Sequence, residues 1–185
     1  MLNSASLERR EALDLAQQRG LPVIATAAGE SGMPQSTEER VVNASRLIDI
    51  AISKGIPLGR LYLDALVFPI SVDIQFGNHY LEAIRTLRSK YGEEIHLTGG
   101  LSNVSFGLPC RRLIGEAFMN LAVEAGVDSG IIDPVATDLR RVFLANRQTK
   151  PYQLARDMLL GLDRNCKTFL RAYRKGELAE SAAGS

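Results

Sequence analysis

The sequence is poor in the residues that most often announce a chemistry. Its two cysteines, Cys110 and Cys166, stand far apart and outside any paired-cysteine spacing. That excludes a disulfide framework and predicts a reduced, cytoplasmic setting. The two histidines, His79 and His96, have no ligand spacing to a cysteine or a carboxylate, so no bound metal is expected. No apolar run approaches the roughly 20 residues of a membrane span. The opening MLNSASLERREA lacks the basic-then-apolar order of a signal peptide. Neither sign of charge dominates: 22 Lys and Arg face 21 Asp and Glu, which leaves no global field to attract nucleic acid or an anionic membrane. Gly-x-Gly-x-x-Gly, Walker loops and Gly-x-Ser-x-Gly elbows are missing as well.

What is present is an alternation. With 185 residues, 45% of them hydrophobic, the chain is long enough for one domain with a real core. Short apolar runs read as strands at Leu21–Thr26, Leu61–Phe68, Ile95–Thr98 and Gly130–Ile132, with Met1–Ala5 as the tail of another. Between them the period becomes helical. Val41, Ala44, Ile48, Ala51 and Ile52 share one face, Ser36 and Glu39 have capping-box spacing, and Gly55 closes the segment. Asn78–Tyr91 aligns Leu81, Ile84 and Leu87; Arg112–Ala125 aligns Leu113, Phe118, Leu121 and Ala125. Strand starts recur at intervals of 40, 34 and 34 residues, the size of a β-loop-α unit. The expected fold is therefore α/β with a parallel sheet, either a (β/α) barrel or an open doubly wound sheet. From Pro151, the spacing of Leu154, Met158, Leu162, Cys166 and Leu170 predicts one long final helix, followed by a frayed polar tail.

In parallel α/β folds, ligands meet the loops at the carboxyl ends of the strands. That rule selects Asp64 within LYLDALVF, the residues from Gly99 to Ser105 after IHLT, and Asp133 after GII. It also selects Glu30 to Pro34, and Asn3 with Ser4. Each has a plainer alternative. Asp64 could serve a buried structural hydrogen bond, and Asp133, before Pro134, could be a turn or N-cap residue. Asn103 could satisfy loop backbone, Arg111 and Arg112 could begin a solvated helix, and Cys110 could be a passive thiol. An Asn and two Asp residues, without a nucleophile or metal site, suit a polar uncharged ring that offers several N–H and C=O groups.

The motifs GLSNVSFGLPCRR, LYLDALVFP, GIIDP and NSASLE together resemble the pterin-binding domain of methyltetrahydrofolate:corrinoid methyltransferases. The folate domain of cobalamin-dependent methionine synthase is a close relative of that family. The resemblance covers about residues 1–146. It implies a pterin-binding (β/α) TIM barrel of which strands four to eight are present and the first three are missing, with residues 1–175 as the domain and 176–185 as a flexible tail. It further implies transfer of the N5 methyl of methyltetrahydrofolate to the Co(I) corrinoid of a partner protein, and a homodimer is expected. By the same resemblance, Asn103 matches the asparagine that hydrogen-bonds near N5. Asp64 matches the ring-binding acid at the end of the sixth barrel strand, and Asn3 the pterin-contacting asparagine after the fourth. Ser102, Ser105 and Asp133 complete the expected substrate set. Phe106 stands where some members carry a polar residue. A dihydropteroate synthase-like enzyme is an alternative, though GLSNVSFG lacks the lysine that such enzymes carry there. A non-catalytic, truncated pterin-binding subunit is another.

Overall fold

The computed structural model describes residues 1–30, 32–135 and 137–178. In chain order, the strands are β1 (Leu2–Ala5), β2 (Val23–Thr26), β3 (Leu61–Asp64) and β4 (His96–Thr98). The helices are α1 (Glu11–Arg19), α2 (Thr37–Ser53), α3 (Phe76–Tyr91), α4 (Arg111–Ala125), α5 (Leu139–Leu144), α6 (Lys150–Leu159) and α7 (Lys167–Arg174). The four strands form one parallel sheet in the order β1-β2-β3-β4, as the β-loop-α spacing requires. Two compact units make up the chain. The first comprises residues 1–67, 79–100 and 122–131, and the second comprises residues 68–78, 101–121 and 132–185.

The first unit holds the sheet. Its strands bury Val23, Ala25, Leu61, Leu63 and Leu97 almost completely, the near-continuous apolar reading that strands covered on both faces show. Helix α2 contributes Ala44, Leu47, Ile48 and Ala51, all fully buried at helical spacing. Its apolar face is thus centred one residue from the expected one: Ile52 is 48% exposed, and Leu47 takes its place. The predicted cap is present, since the Ser36 side chain accepts from the Glu39 N–H at 3.1 Å. The Glu39 carboxylate reaches back to the Gln35 N–H at 2.7 Å, one residue before the cap. In α3, Leu81, Ile84 and Leu87 are fully buried, as the spacing predicts.

Three expectations need correction. The run LYLDALVF stops being a strand at Asp64, because Leu66 has φ 66 and cannot continue a pleat. The run GII makes only a single bridge, Gly100 with Ile131. Three apolar-looking residues cannot form a ladder when the preceding turn delivers only one of them into register. The long final helix is two helices. Gly161, at φ 75, ends the first, and Asn165 and Cys166 also have positive φ before the second begins. The buried set is accordingly Tyr152, Ala155, Met158 and Leu159, then the expected Cys166, then Phe169 and Ala172, while Leu162 is 69% exposed.

The restart of the chain at α7 depends on Asp163. Its buried carboxylate accepts from the Thr168 N–H at 2.9 Å and the Phe169 N–H at 2.8 Å, satisfying two donors that the helix leaves orphaned. Of the expected polar tail, Glu177 pairs with Lys150 at 2.6 Å and Leu178 is buried; residues 179–185 lie outside the described residues. Asp163→Ala is expected to lower stability by about 1–2 kcal/mol, the usual worth of such a cap. Urea unfolding followed by far-UV circular dichroism checks this, and an unchanged midpoint would remove Asp163 from the account.

Candidate functional site

Parallel register sets the polar residues of the first unit. Thr26 of β2 lies opposite Asp64 of β3, and Asp64 opposite Thr98 of β4, so three polar residues form one row across the carboxyl end of the sheet. The Thr26 hydroxyl donates to the Ala5 carbonyl at the end of β1, at 3.2 Å. Asp64 is only 8% exposed. Burial pushes its carboxyl up to about 6, opposed by the Leu66 N–H that donates to Oδ1 at 2.8 Å. That bond lies across the left-handed turn at Leu66, whose carbonyl accepts from Nε of Arg40 at 3.4 Å. Arg40 is itself fully buried, its Nη1 donating to the Ser36 carbonyl at 2.9 Å, and burial pulls it down to about 10. It therefore keeps its charge at neutral pH.

Asn3 lies within β1, in register with Ile24 and exposed, rather than after a strand. The first unit thus holds Asn3 and Asp64. The loop after β2 is engaged in its own structure. Glu30 forms ion pairs with Arg10 and with Arg46, the latter at 3.1 Å. Those two guanidinium groups hold its carboxyl below the usual range, Arg46 contributing most.

The second unit holds Ser102, Asn103, Ser105 and Asp133. The first three sit on a 3₁₀ turn, Leu101–Ser105. Ser105 is buried; its hydroxyl donates to the Ser102 carbonyl at 3.1 Å and accepts from Nε of Arg111 at 3.2 Å. The Arg111 guanidinium also stacks 4.5 Å over the Phe106 ring. Arg111 begins α4 and is exposed, as expected of a solvated helix start, and its guanidinium also clamps the turn that carries Asn103. Phe106 supplies the face of that clamp. The Asn103 carbonyl accepts from the Phe106 N–H at 3.2 Å, and its side chain is half-buried.

A cavity of about 280 Å³ in this unit is lined by Ser102, Ser105, Arg111, Glu116 and Asp133, among others. It brings together three expected substrate residues but does not include Asn103 among its lining. Glu116, buried, is bridged by Arg141 at 2.8 Å. Asp133 makes the turn bond that its place before Pro134 suggests, accepting from the Val135 N–H at 2.9 Å. The sequence reading passes over Arg40, Tyr80 and Glu116. A lone arginine or tyrosine at helical spacing carries no local signal, although a charged residue on the apolar face of α2 could have flagged Arg40.

Among the described residues no group of three or more His, Cys, Asp or Glu side chains could hold a metal, and no helix is long and apolar enough to cross a membrane. The class is an α/β protein with a parallel four-stranded sheet, with hydroxyl, amide and carboxyl groups on and after the strands, where such folds meet their ligands. The sequence profile described as "Pterin binding enzyme" matches residues 1–133, and the chain belongs to that family.

Two relatives narrow the comparison. The chain is 30% identical over 156 residues to the methylcorrinoid:tetrahydrofolate methyltransferase of Eubacterium limosum, covering 84% of this chain and 54% of that protein. It is 33% identical over 125 residues to the methionine synthase of Mycobacterium tuberculosis, covering 64% of this chain and 10% of that one. The chain thus spans about half the length of the first relative and a tenth of the second.

Asp64 ties the site to stability. Its folded value, about 6, lies above the ordinary 3.8, so the folded state holds the proton more tightly. The resulting stabilisation is fully present below about pH 4 and is lost as pH rises through about 6. At pH 7.5 the buried charge costs up to roughly 3 kcal/mol. Asp64→Asn, which keeps an acceptor for the Leu66 N–H and cannot ionise, is expected to be the more stable protein at pH 7.5 and to show a flatter profile between pH 4 and 7.5. Urea midpoints across that range check this; parallel profiles for the two proteins would overturn it.

Proposed function

We propose that the chain binds the pterin ring of a reduced folate and takes part in methyl transfer from N5 of methyltetrahydrofolate to the Co(I) corrinoid of a partner protein. The match of residues 1–133 to the pterin binding enzymes carries this reading. The name of the Eubacterium limosum relative supports it, written there from methylcorrinoid to tetrahydrofolate. Both directions pass through one transition state, so one set of side chains serves either. The finer structural expectations belong to the same proposal: a (β/α) barrel with residues 1–175 as the pterin-binding domain, a homodimer, and a cytoplasmic setting.

A pterin presents a fused ring with several N–H and C=O groups and no charge, and the side chains match it in kind. Asp64 is the acceptor for ring N–H groups, a task that its desolvated, oriented carboxylate performs above about pH 6. Asn3, Ser102, Ser105 and Asp133 supply further donors and acceptors to the substrate. Asn103 is assigned to N5. A tertiary amine is a poor leaving group until it is protonated, and an amide in a hydrogen-bond network stabilises the developing N5–H without a strong acid. The corrinoid, when its carrier is bound, supplies the cobalt nucleophile, so the chain needs none of its own. Arg111 holds the turn that bears Asn103 through Ser105 and Phe106.

The test uses the chain with methyltetrahydrofolate and reduced corrinoid, following the cobalt absorption spectrum. Methyl transfer with saturable dependence on methyltetrahydrofolate is expected; binding of the folate without transfer would favour a non-catalytic subunit, and no binding would end the reading. Asn103→Ala is expected to slow transfer about 100-fold or more, the usual cost of one transition-state hydrogen-bond donor or acceptor. The dissociation constant for methyltetrahydrofolate should change far less. An equal loss in binding and rate would sink the assignment of Asn103 to the transition state.

A further inference from the structure

We propose that Tyr80 is a positioning residue for Asp64: its buried ring, keyed by the hydroxyl to the last carbonyl of β4, closes off the protein side of the carboxyl end of β3. This deepens the pterin-binding reading, on which the functional meaning of Asp64 rests. The geometry is local to the first unit. Tyr80 comes from α3 and is fully buried. Its hydroxyl donates to the Thr98 carbonyl at 3.0 Å, and Thr98 is the residue in register with Asp64. The next residue is glycine for a steric reason. A Cβ on Gly99 would sit 2.7 Å from the Tyr80 hydroxyl oxygen, 3.2 Å from Cζ and 3.2 Å from a methyl of Val67. Tyrosine and glycine are thus a matched pair: the ring occupies the space that any other side chain at 99 would claim.

The electrostatics agree. Burial raises the Tyr80 phenol far above its ordinary range, and the nearby Asp64 charge raises it further, so the phenol stays neutral beside the carboxyl. Strands β2 and β4 set the uncharged Thr26 and Thr98 in register with Asp64. Helix α2 contributes the charged Arg40, which bonds the Leu66 carbonyl two residues on. Helix α3 contributes the Tyr80 ring. A dry ring beneath the row keeps water from the protein side, so the carboxyl stays desolvated and in one orientation. Losing the hydroxyl frees the ring from β4 and leaves a gap able to admit water.

The experiment reads Asp64 directly and needs no pterin. The carboxyl carbon of Asp64, assigned by comparison with Asp64→Asn, is titrated by NMR in the full chain, in Tyr80→Phe and in Gly99→Ala, with thermal unfolding beside each. The parent midpoint is expected near 6. Both variants should titrate lower by about half a unit to one unit, as water reaches the carboxyl. Methyltetrahydrofolate affinity, measured by calorimetry between pH 5 and 8, should fall in both. Unchanged Asp64 midpoints in folded variants would overturn the proposal, whatever happens to their melting temperatures. Failure of both variants to fold would also overturn it, since a residue confined to positioning Asp64 leaves the fold standing. If the parent binds no methyltetrahydrofolate, the pterin reading fails alone, and the NMR midpoints still decide the role of Tyr80.

Discussion

Parallel pairing in one register is the constraint on which the rest depends. Because β2, β3 and β4 run the same way and match residue for residue, Thr26, Asp64 and Thr98 arrive together at one end of the sheet. A slip of one residue would turn Asp64 to the opposite face. The register is held by the burial of Val23, Leu61, Leu63 and Leu97, each side chain contributing on the order of 1.5–3 kcal/mol relative to exposure, with a smaller share from Ala25. Hydrophobic burial thus fixes the position of a polar group that it does not itself favour.

Where that polar group sits, the backbone departs from regular structure. The strand ends at Asp64 and the chain turns through Leu66 in the left-handed region, a conformation costly for a branched side chain. Two polar side chains oppose the cost from either side of the same residue. Asp64 accepts from the Leu66 N–H, and Arg40 donates to the Leu66 carbonyl. The candidate ligand group is therefore also a structural group. Of the two roles weighed in the sequence reading, the structure shows the buried hydrogen bond: the Asp64 carboxyl accepts from the Leu66 N–H.

The turn that carries Asn103 follows another logic. It is short, polar and held by side chain to backbone bonds rather than by a ladder. The Arg111 side chain folds back over Phe106 and bonds Ser105, so that a helix start stabilises the turn preceding it. The hydrogen bonds within this stretch involve residues three to nine apart in sequence. Even so, their pairing could not be read from the order SNVSFGLPCRR. Small polar residues have several local partners available, and only the folded turn selects among them.

Sequence alone determined the alternation of parallel strands and helices, the core faces of α2 and α3 to within a residue, and the presence of polar groups on and after strands. Those follow from periodicity, which is local and survives in any arrangement of the elements. The GLSNVS and LYLDALV motifs also carried the resemblance to the family. Tertiary structure decided the remainder: that GII makes one bridge instead of a strand, that the last helix breaks at Gly161, and that Ser102, Ser105 and Asp133 share a cavity. It also decided that Tyr80 and Gly99 fit one another beside Asp64. Each of these depends on what a residue meets across the fold, and neither spacing nor composition encodes a distance between residues far apart in the chain.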